Sequence, residues 1–156
     1  MKFLYSYLTF AISIGFISWI VGMFLTLILN KLPVFKNSLT RLSFIKSEKV
    51  NKYIGVGLIK WITKNTFFKF FNPKLKIKGK ATTNDLILIR KEMTKSEIDH
   101  LLAFLFVLIF VVLKIFKQEY GFAVTILIIN MLMNLYPALL QQQNKRRLDK
   151  VIGSYN

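Results

Sequence analysis

The stretch from Phe3 to Leu29, FLYSYLTFAISIGFISWIVGMFLTLIL, contains no charged residue. As a helix rising about 1.5 Å per residue, it is long enough to cross a hydrocarbon core of about 30 Å. No A-x-A-like cleavage site follows it, so the pattern predicts a retained membrane helix and not a removed signal peptide. Further apolar runs at 101–116 and 122–140, separated by a turn at 117–121, predict a helical hairpin.

The expected fold is therefore an all-α integral membrane protein with about three transmembrane helices and an interfacial amphipathic segment. The first helix stands alone, and the other two form the C-terminal hairpin. The predicted organisation is a transmembrane helix at 1–30, a basic cytoplasmic or interfacial segment at 31–98, a transmembrane hairpin at 99–141 and a basic cytoplasmic tail at 142–156.

The charge of the chain is strongly one-sided, with 23 Lys and Arg against 7 acidic residues and a formal net charge of +16. Because these cations flank long apolar runs, anionic lipid headgroups are the expected partners, and nucleic acid is not. Residues 31–98 hold sixteen Lys and Arg, and residues 145–150 hold four. The positive-inside rule then predicts that both segments are cytoplasmic, with the N-terminus and the hairpin turn outside.

The middle segment alternates between apolar and basic residues. Residues 50–71 interleave aromatic side chains with lysines, which is typical of a helix lying in the membrane interface. A re-entrant segment is the alternative, since Ile54–Trp61 carries only Lys60. Lys74–Lys78 fits a short strand or an extended arm, and Asp85–Ile89 fits a strand or a short interfacial helix.

Four small residues of the first helix recur at steps of four, three and four, so they share one helical face. They are Ala11, Gly15, Ser18 and Gly22. Small residues let a second helix approach closely in a membrane. This face is therefore a candidate contact for another helix, including one from a membrane protein partner.

Polar residues mark both ends of the predicted hairpin. Thr94–Glu97 fits the capping-box pattern that opens a helix, and His100 follows Glu97 by one turn. The second arm carries a polar stripe formed by Asn130, Asn134, Pro137 and Gln141.

In an antiparallel hairpin turning near 117–121, Glu97 and His100 should lie opposite 137–144, at the cytoplasmic edge of the membrane. Polar groups at that depth are costly unless they are paired or functional. The alternative interpretation is structural, with His100 an interfacial residue, the asparagines interhelical hydrogen-bonding groups, and Arg146 and Arg147 headgroup anchors.

The stretch 85–148 resembles the glycosyl-4,4'-diaponeurosporenoate acyltransferases, small bacterial membrane proteins of carotenoid biosynthesis. The matching positions are Glu97 and His100, then Asn134, Leu135 and Pro137, then Gln141, Asn144, Lys145, Arg147 and Leu148. The chain departs from the family pattern at Tyr136, which is inserted before the proline, and at Gln142–Gln143, where Arg-Tyr is common.

The resemblance implies transfer of a fatty acyl group to a sugar hydroxyl of a glycosylated carotenoid or other membrane lipid, in the bacterial cytoplasmic (inner) membrane. We expect His100 and Glu97 to be catalytic, with a neutral His100 taking the hydroxyl proton and Glu97 holding its tautomer. We expect the following residues to bind substrate: Asn134, Gln141, Asn144, Arg146 and Arg147. The last three could stabilise the oxyanion or hold the phosphate of an acyl-CoA-type donor.

Other chemistries have little support in the sequence. With no cysteine, one histidine and few carboxylates, no metal site is expected. No glycine-rich turn suits a nucleotide cofactor, which argues against a membrane methyltransferase, and no cofactor is expected. The main alternative is a non-catalytic subunit or scaffold of a larger membrane complex.

Overall fold

The computed structural model describes residues 2–33, 39–65 and 82–155, and every regular element within these ranges is helical. In chain order they are α1 (Lys2–Leu29), a 3₁₀ turn (Leu39–Arg41), α2 (Glu48–Tyr53), α3 (Val56–Asn65), α4 (Thr83–Phe116), α5 (Tyr120–Asn130), a π-helical segment (Met131–Leu135) and α6 (Tyr136–Tyr155).

Three helical stretches are long and apolar enough to cross a membrane. They are α1, α4, and the continuous stretch made of α5, the π-helical segment and α6, which we call the α5–α6 rod. The predicted all-α fold with three potential spans is confirmed.

Helix α4 begins earlier than the sequence analysis predicted. Its N-cap is Thr82, whose hydroxyl accepts the Asp85 backbone N–H at 3.2 Å, while the Thr82 backbone N–H donates to Asp85 Oδ2 at 2.9 Å. Thr94 lies inside the helix, where its hydroxyl donates to the Arg90 carbonyl at 3.0 Å. The prediction of a helix start at 94–97 was therefore wrong, because a second Thr-x-x-acid pattern twelve residues earlier forms the cap. Of the two alternatives for Asp85–Ile89, the strand was wrong and the residues are helical, as part of this long helix.

The length of α4 carries it beyond the hydrocarbon. Its 34 residues extend about 51 Å, against a hydrocarbon core of about 30 Å. Arg90 near its start forms an ion pair with Asp149 of α6. The predicted hairpin is thus the apolar part of a longer helix pair whose polar ends also pack together.

The turn between α4 and α5 has Schellman geometry. Gln118 adopts a left-handed conformation with φ of 58°. The Glu119 N–H bonds to the Lys114 carbonyl and the Gln118 N–H to the Ile115 carbonyl, both at 2.9 Å. The Lys114 ammonium bonds to Glu119 Oε2 at 2.7 Å and lies 4.1 Å from the centre of the Phe122 ring. These contacts close the hairpin at one end.

The small-residue face of α1 packs against the chain's own helices. Ala11 and Ser18 are almost fully buried. A side chain added at Gly22 would meet the Asp99 backbone oxygen of α4, and one added at Gly15 would lie 2.6 Å from Met133 Sδ of the rod. The face serves helix packing as the spacing indicates, but within the chain, so a membrane protein partner would have to use another surface.

Residues 48–65 of the middle segment form two short helices, α2 and α3. Gly55, at φ of +82°, provides the left-handed turn between α2 and α3. Val56 is fully buried and packs against Leu139 and Leu140 of α6. The interfacial placement of 50–65 stays a prediction. The predictions for 66–71 and Lys74–Lys78 concern residues outside the described ranges.

Candidate functional site

A buried asparagine connects the three long helices. Asn134, on the π-helical segment, is completely buried. Its Nδ2 donates to Ser18 Oγ at 3.1 Å and to Asn130 Oδ1 at 2.8 Å, and its Oδ1 accepts the Trp19 indole N–H at 3.0 Å. Asn130 Nδ2 in turn donates to the Phe104 carbonyl of α4 at 3.1 Å. These hydrogen bonds fix the relative positions of α1, α4 and the rod.

His100 of α4 lies beside this asparagine. The Asn134 amide faces its imidazole, and the imidazole packs edge-on against Trp19, with ring centroids 6.1 Å apart. The Nδ1 atom of His100 is buried and has no hydrogen-bond partner among the described residues. Because buried polar atoms are nearly always paired, an unpaired imidazole nitrogen is a position where a substrate group can bind.

The irregular helix at this level has a local cause in Pro137. Proline has no N–H, so it cannot donate to the Met133 carbonyl four residues earlier. The Trp19 indole nitrogen lies 3.4 Å from that carbonyl oxygen and supplies a donor there. The π-helical segment ends two residues before the proline, as expected where a proline interrupts the hydrogen-bonding ladder of a membrane helix.

A second buried group, which we call the Glu97 cluster, consists of Glu97, Gln142 and Lys145. Glu97 Oε1 accepts Gln142 Nε2 at 2.8 Å, and Glu97 Oε2 forms an ion pair with Lys145. The cluster also holds the segment that follows α1. Gln142 Oε1 accepts the Phe44 backbone N–H at 2.8 Å, and Lys145 Nζ donates to the Thr40 carbonyl at 3.3 Å.

The Glu97 cluster changes the role expected for Glu97. Both of its carboxylate oxygens are engaged by α6, whereas Asn134 faces the His100 imidazole. The expectation that Glu97 holds the tautomer of His100 was therefore wrong. The predicted register of Glu97 against 137–144 is correct, since Glu97 bonds to Gln142 and Ser96 lies 3.5 Å from the Gln141 amide nitrogen. The same expectation for His100 was wrong, because His100 lies beside Asn134.

The remaining predicted residues lie along α6 and do not converge on one point. Gln141 faces Ser96, and Asn144 is half-buried. The Arg146 guanidinium donates to Ser43 Oγ at 3.0 Å. Arg147 is exposed and lines a separate polar cavity.

The sequence analysis did not identify several residues that the structure places at or near these polar contacts. Gln142 stood out only as a departure from the family pattern, and Trp19 is one of many aromatic residues in α1. Thr26 and Asp99 face each other across the contact between α1 and α4. The spacing could have revealed Thr26, which continues the small-residue face four residues after Gly22.

These features define an α-helical membrane protein whose three long helices meet around buried polar side chains. The family model described as glycosyl-4,4'-diaponeurosporenoate acyltransferase (CrtO) matches residues 35–154, which is most of the chain. The chain belongs to this acyltransferase family, as its resemblance indicated. The matched range does not include α1, which supplies Trp19 and Ser18. No curated protein and no solved structure matches the chain.

Proposed function

We propose that the chain transfers a fatty acyl group to a sugar hydroxyl of a glycosylated carotenoid or related membrane lipid, with His100 as the general base. The observation that carries this proposal is the buried Nδ1 of His100 beside Asn134, which has no hydrogen-bond partner within 2–33, 39–65 and 82–155. Membership of the acyltransferase family supports the reaction class.

The chemistry needs one proton acceptor near the acceptor hydroxyl. The hydroxyl oxygen attacks the acyl carbonyl carbon while its proton passes to His100 Nδ1. The bond from that carbon to the donor's leaving atom then breaks, and the leaving atom receives the proton. Because Nδ1 has no partner in the part of the chain that the structure describes, the contact with Asn134 falls to the other ring nitrogen, and a proton held there would leave the Nδ1 lone pair free.

The distances along the α5–α6 rod divide the expected substrate-binding residues into two groups. Asn134 marks the level of His100, and Arg146 follows twelve residues later, about 18 Å along the helix. An arginine at that distance does not reach an oxyanion formed next to His100. We assign Arg146 and Arg147 to the anionic part of the donor, for which an acyl-CoA-type thioester is the expected class.

Glu97 is a positioning residue in this account. Through Gln142 and Lys145 it holds residues 40–44 against α6. These residues lie on the side of the bundle that the positive-inside rule assigns to the cytoplasm, where the basic middle segment would meet a soluble donor. We therefore place the donor entry there, on the inner face of the bacterial cytoplasmic membrane.

The proposal is tested by lipid and pigment extraction from cells. Membranes carrying the wild-type chain, His100→Ala, a deletion, or the matched control Ile109→Ala are compared by mass spectrometry. Ile109 is exposed on the same helix, toward the expected lipid. We expect one acylated glycolipid or glycosylated carotenoid to disappear in the deletion and in His100→Ala but not in the control. Its persistence in His100→Ala at the wild-type level would refute the catalytic assignment.

A further inference from the structure

A polar cavity lies away from His100, where α2 and α3 meet α6. Its volume is about 290 Å³, and its described lining is Asn51, Lys52, Gly57, Lys60, Gln143 and Arg147. This volume is at the lower end for small-molecule sites, so it suits a headgroup more than a whole lipid.

The charges around the cavity have one sign. Lys52, Lys60 and Arg147 line it, and none of its described lining residues is acidic. Like charges held around a shared space repel one another unless an anion lies between them. The arrangement therefore favours a ligand with more than one negative charge.

A buried amide gives an independent indication of a ligand. Asn51 is only 1% exposed, yet its Nδ2 has no hydrogen-bond partner among the described residues. An amide N–H buried in this way is costly unless something accepts from it. Asn51 lines the same cavity as the three cations, so an anionic oxygen placed there would accept from the amide and be attracted by the basic side chains around it.

We propose that this cavity binds a phosphate or diphosphate group, contacted by Asn51, Lys52, Lys60 and Arg147. Two sources share this chemistry, namely the nucleotide part of an acyl donor and the headgroup of an anionic lipid. The role as a donor site rests on the proposed function, whereas the binding itself does not.

The position of the cavity agrees with a donor whose two ends bind apart. Gln143 follows Asn134 by nine residues, about 13 Å along the rod. A phosphate held at Gln143 and Arg147 leaves a long flexible arm free to bring its acyl end to His100. The cavity and His100 would then bind the two ends of one molecule.

Binding is measured on the purified chain in nanodiscs of neutral phosphatidylcholine, using inorganic pyrophosphate and coenzyme A as titrants. A second experiment includes phosphatidylglycerol in the lipid mixture. It measures how much phosphatidylglycerol stays bound to the chain after solubilisation in detergent. The test variant is Lys52→Gln/Lys60→Gln/Arg147→Gln. The matched control, Lys31→Gln/Lys91→Gln/Lys117→Gln, removes the same charge from positions outside the cavity.

We expect the test variant to lose at least about tenfold in affinity for the ligand and the control to remain near wild type. Loss for pyrophosphate and coenzyme A assigns the site to a soluble donor, and loss for phosphatidylglycerol alone assigns it to a lipid headgroup. Equal binding by test variant and wild type, or equal loss in test variant and control, overturns the proposal.

Asn51→Asp provides a second variant of nearly unchanged shape. It replaces the amide donor with a carboxylate, so it should weaken anion binding at least as strongly as the triple variant does. Unchanged binding would count against the assignment. His100→Ala separates the two proposals, since it should retain anion binding whether or not acyl transfer is lost. Anion binding without any acyl transfer by the wild-type chain would refute the proposed function alone.

Discussion

Lys145 of α6 forms an ion pair with Glu97 of α4 in the interior of the helix bundle, where the lysine side chain is 4% exposed and the carboxylate 0%. A charge this deeply buried is tolerated because its partner and further hydrogen bonds compensate it. The Gln142 amide and the Thr40 carbonyl supply those bonds. The pair thus connects the ends of two membrane helices to the segment that follows α1.

Breaking this pair from one side should be strongly destabilising. We expect Glu97→Leu or Lys145→Met alone to lower the free energy of unfolding by about 3–5 kcal/mol, because each leaves an unpaired buried charge. The double variant should lose less than the sum of the two. The half-exposed pair Arg90–Asp149 is the control, and its loss should cost less than about 1 kcal/mol. Thermal denaturation in detergent measures the stability of the variants of both pairs. If the losses from the single changes at 97 and 145 simply add in the double variant, the two side chains do not stabilise each other and the prediction fails.

We expect the indole N–H of Trp19, and not only its aromatic ring, to stabilise the fold. Trp19→Phe retains an aromatic side chain but removes the donor to Asn134 Oδ1 and the Met133 carbonyl. We expect a loss of about 1–3 kcal/mol, since buried acceptors remain without partners. Trp61→Phe is the matched control, because Trp61 is 60% exposed and should change stability little. Equal denaturation midpoints for the two variants would contradict the role of the indole.

The two glycines of the α1 face should differ in their tolerance of alanine. At Gly22 the added methyl group meets the Asp99 backbone and the Ala103 side chain, whereas at Gly15 it meets the flexible Met133 side chain. We expect Gly22→Ala to destabilise the fold by about 1–3 kcal/mol and Gly15→Ala by less. Gly121→Ala, which adds a methyl group into open space, is the control. A neutral Gly22→Ala in thermal denaturation would rule out this close contact between α1 and α4.

The orientation in the membrane can be tested with single cysteines, because the chain contains none of its own. Gln118→Cys lies in the exposed hairpin turn, and Val151→Cys lies on exposed α6. The positive-inside rule predicts that an impermeant maleimide labels position 118 in intact spheroplasts but labels 151 only after permeabilisation. The reverse labelling would show that the topology is inverted.

The fold could be predicted largely from apolar run lengths, because a stretch such as Phe3–Leu29 has few alternatives in a membrane. The start of α4 could not, since Thr82 and Thr94 each precede an acidic residue by three positions and only tertiary packing distinguishes them. The position of Glu97 opposite 137–144 followed from the hairpin register. The side chains that contact Glu97 and His100 could not be predicted in this way. Which residue of the rod faces each of them depends on the helix rotation produced at the π-helical segment before Pro137.

The most direct test of the central claim is acyl transfer by the purified chain in nanodiscs, using a labelled acyl thioester and a glycosylated carotenoid. The wild-type chain is compared with His100→Ala and with the lipid-facing control Ile109→Ala. Denaturation midpoints confirm that all three are folded. General-base catalysis by His100 predicts that His100→Ala loses about 10²–10⁴-fold in rate while the control stays near wild type. Transfer by a folded His100→Ala chain at the wild-type rate would contradict the claim.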